Sequence, residues 1–131
     1  MSNPVHHIEL WTDDLAGCAP SLDWLLPRIG WLAEHDPAWP AGRVWRHASG
    51  AYLVLEQSPA VTPGGHDRMR PGLNHLAFRV PPGLLTEVRR EAPHHGWREL
   101  FAERYPWANG NESRALFLEN GQGFEVELVA A

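Results

Sequence analysis

The feature that most constrains this chain is an internal repeat of roughly 60 residues. Residues 5–12 (VHHIELWT) alternate Ile8 and Leu10 with Glu9 and Trp11, the period-two pattern of a strand with two unlike faces. Asp13 and Asp14 are N-cap residue types. Leu15, Ala19, Leu22, Leu25, Leu26 and Ile29 then recur at helical spacing up to Gly30, while Pro20 and Pro27 predict a kink or a late start. Strands are expected at residues 43–47 and 51–56, joined by a turn at Ser49-Gly50. Residues 58–72 (SPAVTPGGHDRMRPG) hold three prolines and three glycines and predict a linker. The second half begins again with an alternating strand at residues 73–80 (LNHLAFRV). Pro81 and Pro82 open a helix carrying Leu84, Leu85, Val88 and Ala92 and ended by Gly96. Strands are expected at 97–101, 115–118 and 124–129, with Asn120-Gly121 in the last turn. The chain therefore reads as one domain, residues 1–131, of the α+β class. It holds a first βαβββ module at 5–57, a linker at 58–72 and a second βαβββ module at 73–129.

Composition removes several functions. The formal charge is −5, from 16 acidic and 11 basic residues, and every basic residue is arginine. An acidic chain with no basic stripe predicts no nucleic-acid partner and no membrane partner. The absence of lysine excludes Schiff-base chemistry. No apolar run approaches the roughly 20 residues that span a bilayer. The start, MSNPVHHIEL, lacks the pattern of a secretory leader, so a cytoplasmic protein is expected. The single cysteine, Cys18, excludes an internal disulfide and is read as packing.

The repeat extends to chemistry. His7 opens the first strand of one half, and His75 lies on the first strand of the other, 68 positions on. The last strands end in Leu53-Val54-Leu55-Glu56 and in Phe124-Glu125-Val126-Glu127, which places their final glutamates 71 positions apart. Strand side chains alternate between faces. If Ile8, Leu10, Leu53, Leu55, Leu76, Phe78, Val126 and Leu128 face the helices, then His7, Glu56, His75 and Glu127 all lie on the opposite faces. Two imidazoles and two carboxylates make a donor set for one divalent ion, with Zn, Ni, Co, Mn and Fe(II) all chemically reasonable. Positions left open on that ion suit a substrate with two adjacent oxygens. The ion would then act as a Lewis acid and stabilise an enediolate or similar oxyanion.

Three segments carry a family resemblance: His7-Ile-Glu-Leu-Trp-Thr-Asp-Asp-Leu, Gly72-Leu-Asn-His-Leu-Ala-Phe and Asn120-Gly-Gln-Gly-Phe-Glu-Val-Glu-Leu. In their order and spacing they resemble the vicinal-oxygen-chelate superfamily of glyoxalases, bleomycin-resistance proteins and dioxygenases. The family's Asp-Pro-Asp ending is replaced here by Glu119-Asn120-Gly121. The resemblance implies a curled, mixed, eight-stranded sheet, a homodimer, and metal ligands at His7, Glu56, His75 and Glu127, with Glu56 the least secure. It implies a metal-dependent lyase or isomerase of the glyoxalase type acting on a small molecule. Glu127 or Glu56 would be the general base, and Glu9 a further acid–base group. Trp11, Tyr52, Arg79 and the loop at 104–114 with Trp107 are the candidate substrate contacts. Whether a thiol cosubstrate is used is left open. Two alternatives follow from the same family. One is a metal-free, drug-sequestering binding protein, favoured by seven tryptophans and the negative charge. The other is an Fe(II) ring-cleaving dioxygenase using His7, His75 and Glu127 alone. His6, His35, His47, His66, His94 and His95 are assigned no role in the site.

Overall fold

A computed structural model describes residues 3–131 of the protein. Two compact units divide at Gly65/His66, inside the segment rich in Pro and Gly. The first unit holds β1 (His7–Trp11), α1 (Leu15–Arg28), β2 (Trp31–Ala33), β3 (Gly42–His47) and β4 (Tyr52–Glu56). The second holds β5 (His75–Val80), α2 (Leu84–Glu91), β6 (Trp97–Leu100), β7 (Arg114–Asn120) and β8 (Glu125–Ala130). Each unit is one four-stranded mixed sheet with one helix, and the strand orders match: β1-β4-β3-β2 and β5-β8-β7-β6. The expected α+β fold of two βαβββ modules is present, its eight strands falling into two sheets of four.

In each unit the first strand pairs in parallel with the last, while the remaining pairs are antiparallel. A parallel pair needs a long crossover, and the helix supplies part of it. The helix in turn needs an apolar sheet face to cover. In the first unit Cys18, Leu22, Leu25 and Leu26 of α1 are buried with Trp45, Leu53 and Leu55 of the sheet. In the second, Leu85 and Val88 are buried with Val80, Leu116, Leu118, Val126 and Leu128. Each such aliphatic side chain contributes about 2 kcal/mol by leaving water. Trp45 is fully buried, and its indole N–H donates to Asp23 Oδ1 at 3.0 Å, so its one polar atom is satisfied.

Three local expectations change. Helix α1 starts at once after its cap, Asp14, whose carboxylate accepts the Gly17 N–H at 3.0 Å, and it runs through both prolines. A proline deprives the carbonyl four residues back of its donor. Those carbonyls belong to Ala16 and Asp23, both exposed, so water can serve them. Strand β2 completes the expected first βαβββ module, but its residues had not been placed; the three of them, Trp31-Leu32-Ala33, are too short to show a period. Helix α2 starts at Leu84 behind Gly83 and tightens into a 3-10 turn at Ala92–His95, which Gly96 ends at φ 86°.

One contact ties the β1–α1 junction to the end of the first unit. The Asp13 carboxylate accepts the N–H groups of Gly64 at 2.7 Å and Gly65 at 3.2 Å. These two bonds, Gly64's foremost, hold the Asp13 pKa below its ordinary value of 3.8. A depressed carboxylate pKa contributes stability that is present above the ordinary value and lost as pH falls through the folded one. The Gly64 and Gly65 amides should therefore be protected from hydrogen exchange at neutral pH and lose that protection on acidification below about pH 4. Asp13→Ala should expose them at every pH. Equal exchange in wild type and variant would show that the contact does not hold the segment.

Candidate functional site

Register decides which side chains share a face. In the first unit His7 lies beside Tyr52, Glu9 beside Val54 and Trp11 beside Glu56. All six therefore project from one side of the β1–β4 ribbon. The opposite side buries Leu10, Leu53 and Leu55. In the second unit His75 lies beside Glu125, Ala77 beside Glu127 and Arg79 beside Val129, again on one face, with Phe78 and Val80 buried behind.

The second unit brings two of the expected donors together. His75 Nε2 lies 3.0 Å from Glu127 Oε1. Its other nitrogen, Nδ1, lies 2.6 Å from Asn74 Oδ1 and 3.8 Å from Glu125 Oε2. The Asn74 amide orientation is set by its NH₂ group, which donates to the Arg68 carbonyl at 3.0 Å, leaving its oxygen for the imidazole. His75 Nδ1 must then carry the hydrogen. In a neutral ring that leaves the Nε2 lone pair facing a carboxylate oxygen. Two electron-rich atoms at this distance call for a cation between them, either a proton or a metal ion. Glu127 Oε2 accepts the Asn109 NH₂ at 3.0 Å, and Phe117 meets the His75 ring edge to face at 5.8 Å.

The first unit is built differently. His7 stacks flat on Tyr52, 4.8 Å between ring centres, and its Nδ1 lies 2.8 Å from His6 Nδ1. The guanidinium of Arg46 also sits 4.6 Å from the Tyr52 ring centre, so Tyr52 is held in place by neighbours from two strands. Glu56 is four positions along the ribbon from His7, roughly 13 Å at strand rise. Its carboxyl lies beside that of Glu9, whose Oε2 accepts the Trp11 indole N–H. Burial raises the Glu56 pKa first, and the Glu9 carboxyl beside it raises it further. His7 and Glu56 are thus on one face but apart. The position matching Glu127 in the first unit is Val54, and the carboxylate there comes from the opposite strand, as Glu9.

The remaining candidates separate. Trp11 is 45% exposed beside the Glu9–Glu56 pair. Arg79 is exposed on the His75 face, and Glu125 pairs with Arg68 at 3.2 Å. Trp107 is 47% exposed on the loop before β7; that same loop carries Asn109 to Glu127. Asn74 and His6 were not anticipated as parts of the site, and Asn109 was anticipated only within the loop at 104–114. The Asn109-Gly110 dipeptide signals a turn, but nothing local reveals a partner 18 residues away.

A divalent ion sets distance and donor requirements that each unit meets to a different degree. Cis ligands at metal bonds of about 2.1 Å stand about 3 Å apart, which is the His75–Glu127 separation. In the first unit His7 is engaged by His6 at Nδ1, which leaves Nε2 as its donor atom. Glu56 fits less well, lying beside the Glu9 carboxyl. Among the described residues no three His, Cys, Asp or Glu side chains converge as a ready-made cage. The fit is therefore one of donor chemistry, strongest for His75 and Glu127.

Comparison with known proteins agrees on the family. The model of the glyoxalase/bleomycin resistance protein/dioxygenase superfamily matches residues 6–117. The uncharacterized protein YqjT of Bacillus subtilis (strain 168) is 35% identical over 129 residues, covering 96% of this chain and 98% of that protein. The crystal structure of a glyoxalase candidate from Bacillus halodurans superposes with a TM-score of 0.87 at 30% identity, over 98% of this chain and 96% of that one. A variant of the fosfomycin resistance protein FosX from Listeria monocytogenes, complexed with Mn(II) and 1S,2S-dihydroxypropylphosphonic acid, superposes at 0.65 with 15% identity, over 100% and 92%. At that identity the likeness is one of fold.

Behind His75 lies a charged network. Arg68 donates to Glu119 at 2.8 Å and to Glu125 at 3.2 Å, and Arg98 donates to Glu119 from the other side. Burial pushes the Glu119 pKa up, but the two guanidinium groups outweigh it and leave it lowered. The Glu125 side chain is 2% exposed. Arg68→Met would strand a buried carboxylate and should destabilise the protein by about 3–5 kcal/mol. Adding Glu125→Leu should recover much of that loss in thermal unfolding. A double variant no more stable than Arg68→Met would refute the pairing account.

Proposed function

This chain belongs to the glyoxalase/bleomycin resistance protein/dioxygenase superfamily, and we propose that it is a metal-dependent lyase or isomerase of the glyoxalase type. Its substrate would be a small molecule presenting two adjacent oxygens. The observation that carries this reading is the His75–Glu127 pair, an imidazole nitrogen and a carboxylate oxygen 3.0 Å apart. His7, His75 and Glu127 are the proposed metal ligands. When bound, the metal supplies Lewis acidity towards the substrate oxygens.

The chain's own groups perform the rest. Asn109 holds Glu127 by its second oxygen, so that one carboxylate oxygen is fixed and the other is presented. The Glu9 carboxyl beside Glu56 and the burial of Glu56 raise the Glu56 pKa, which suits this carboxyl to take up and release a proton. We therefore assign Glu56, with Glu9, to proton transfer instead of metal binding. Trp11, hydrogen-bonded to Glu9 and 45% exposed, offers a flat apolar surface beside the proton donor.

A second reading has one observation in its favour. With Glu56 set beside Glu9, the ligand set reduces to two histidines and one carboxylate, the donor pattern of Fe(II) oxygenases. The identity of the metal separates the two readings. Untagged protein should carry one equivalent of metal by mass spectrometry, and a His7→Ala/His75→Ala double variant should carry none. Ni, Co, Zn or Mn would support lyase or isomerase chemistry. Iron together with oxygen consumption would support ring cleavage. Wild-type protein that stays metal-free after soaking would overturn both readings and leave a binding protein.

A further inference from the structure

The repeat extends one residue beyond the histidines. In each half the residue immediately before the strand histidine touches its Nδ1: His6 Nδ1 meets His7 Nδ1 at 2.8 Å, and Asn74 Oδ1 meets His75 Nδ1 at 2.6 Å. A residue at i−1 on a strand normally points to the other face. Here both lie at or just before the start of a strand, where the backbone has not yet settled into alternation: β1 begins at His7 and β5 at His75. Each is therefore free to turn back onto the ring that follows it.

We propose that His6 and Asn74 are positioning residues that fix the tautomer and ring orientation of His7 and His75, so that each presents a bare Nε2. This rests on the metal-binding reading above. Asn74 acts as an acceptor with a defined amide orientation, because its NH₂ is committed to the Arg68 carbonyl. The buried Glu125 carboxylate, 3.8 Å from the same Nδ1, favours a hydrogen on that nitrogen as well. His6 performs the same task with its own Nδ1 lone pair, keeping its hydrogen on Nε2. The Tyr52 ring stacked on His7 then fixes the plane in which the Nε2 lone pair points. A metal-bound histidine whose other nitrogen donates to a fixed partner is held in one tautomer and one orientation, and loss of that partner costs about 10–100-fold in metal affinity. The two halves reach this arrangement with different side chains, an imidazole in one and an amide in the other. The two are therefore interchangeable if the shared function is to accept one hydrogen.

The test begins on metal-free protein at alkaline pH, where each imidazole carries a single hydrogen. Two-bond ¹H–¹⁵N spectra should show His7 and His75 both as the Nδ1–H form. His6→Leu should release His7 alone and Asn74→Leu should release His75 alone. Mn(II) and Zn(II) affinities are then measured by competition with a chelating dye. Each leucine variant should bind about 10–100-fold more weakly. The exchanges His6→Asn and Asn74→His, which give each half the other's partner, should restore both the tautomer and the affinity. Wild-type rings in the Nε2–H form would overturn the proposal, as would leucine variants that bind metal as the wild type does. Should the wild type bind neither metal, the functional reading fails, and the tautomer spectra still decide the positioning role.

Discussion

Parallel pairing between the first and last strand of each half is the constraint from which the rest of the structure follows. A parallel neighbour cannot be reached by a tight turn, so the chain must leave the sheet, and the helix that carries it must bury an apolar stripe on one sheet face. That commits Leu10, Leu53, Leu55, Phe78, Val126 and Leu128 to the helix side. The period-two rule then delivers everything else on those strands to the other side. Polar residues placed mid-strand beside such a core are not incidental. Glu125 and Glu127 are both buried, and both have charged or hydrogen-bonding partners. Burying them without those partners would cost several kcal/mol each.

How much of this was legible depended on whether a property is local. The face of each strand was legible, because alternation is written into consecutive residues; β4 and β8 are buried on both faces, and there the register with β1 and β5 gives the facing. The repeat made both histidines legible. Strand β2 was not, because its three residues owe their conformation to pairing with Arg46 and its neighbours rather than to any pattern of their own. The place of Glu56 was not legible either. Counting along the chain pairs Glu56 with Glu127 as the last residues of matching strands, but register pairs Val54 with Glu9 and Glu127 with Ala77. A two-residue difference preserves the face and so escapes the alternation test, yet it moves a carboxylate by roughly 7 Å.

The same limit explains the side-chain contacts that were overlooked. Asn74, Asn109 and His6 are exposed polar residues in unremarkable sequence. Each matters through one atom of one neighbour: Asn74 Oδ1 at His75, Asn109 NH₂ at Glu127, His6 Nδ1 at His7. Such contacts depend on loop paths that residue type does not specify. Arg68 was equally hidden. It sits in the stretch read as linker, yet it neutralises two carboxylates, and its carbonyl sets the orientation of Asn74.

The two halves are therefore alike in frame and unlike in charge. Each offers a strand histidine with its Nδ1 engaged by the preceding residue. At the next position on that face, the second half places its carboxylate on the last strand, opposite Ala77, where it meets the histidine. The first half places it on the first strand, opposite Val54, where it meets another carboxyl and an indole. The acidic residue stands on one strand of the register pair in one half and on the other strand in the other half, and the strand pairing is the same. That difference changes the local chemistry from a donor pair suited to a cation into a carboxyl pair suited to a proton. The two halves thus differ on the sheet face away from the helix, while the apolar residues that meet the helix, Leu10, Leu53 and Leu55 in one and Phe78, Val126 and Leu128 in the other, are alike in kind.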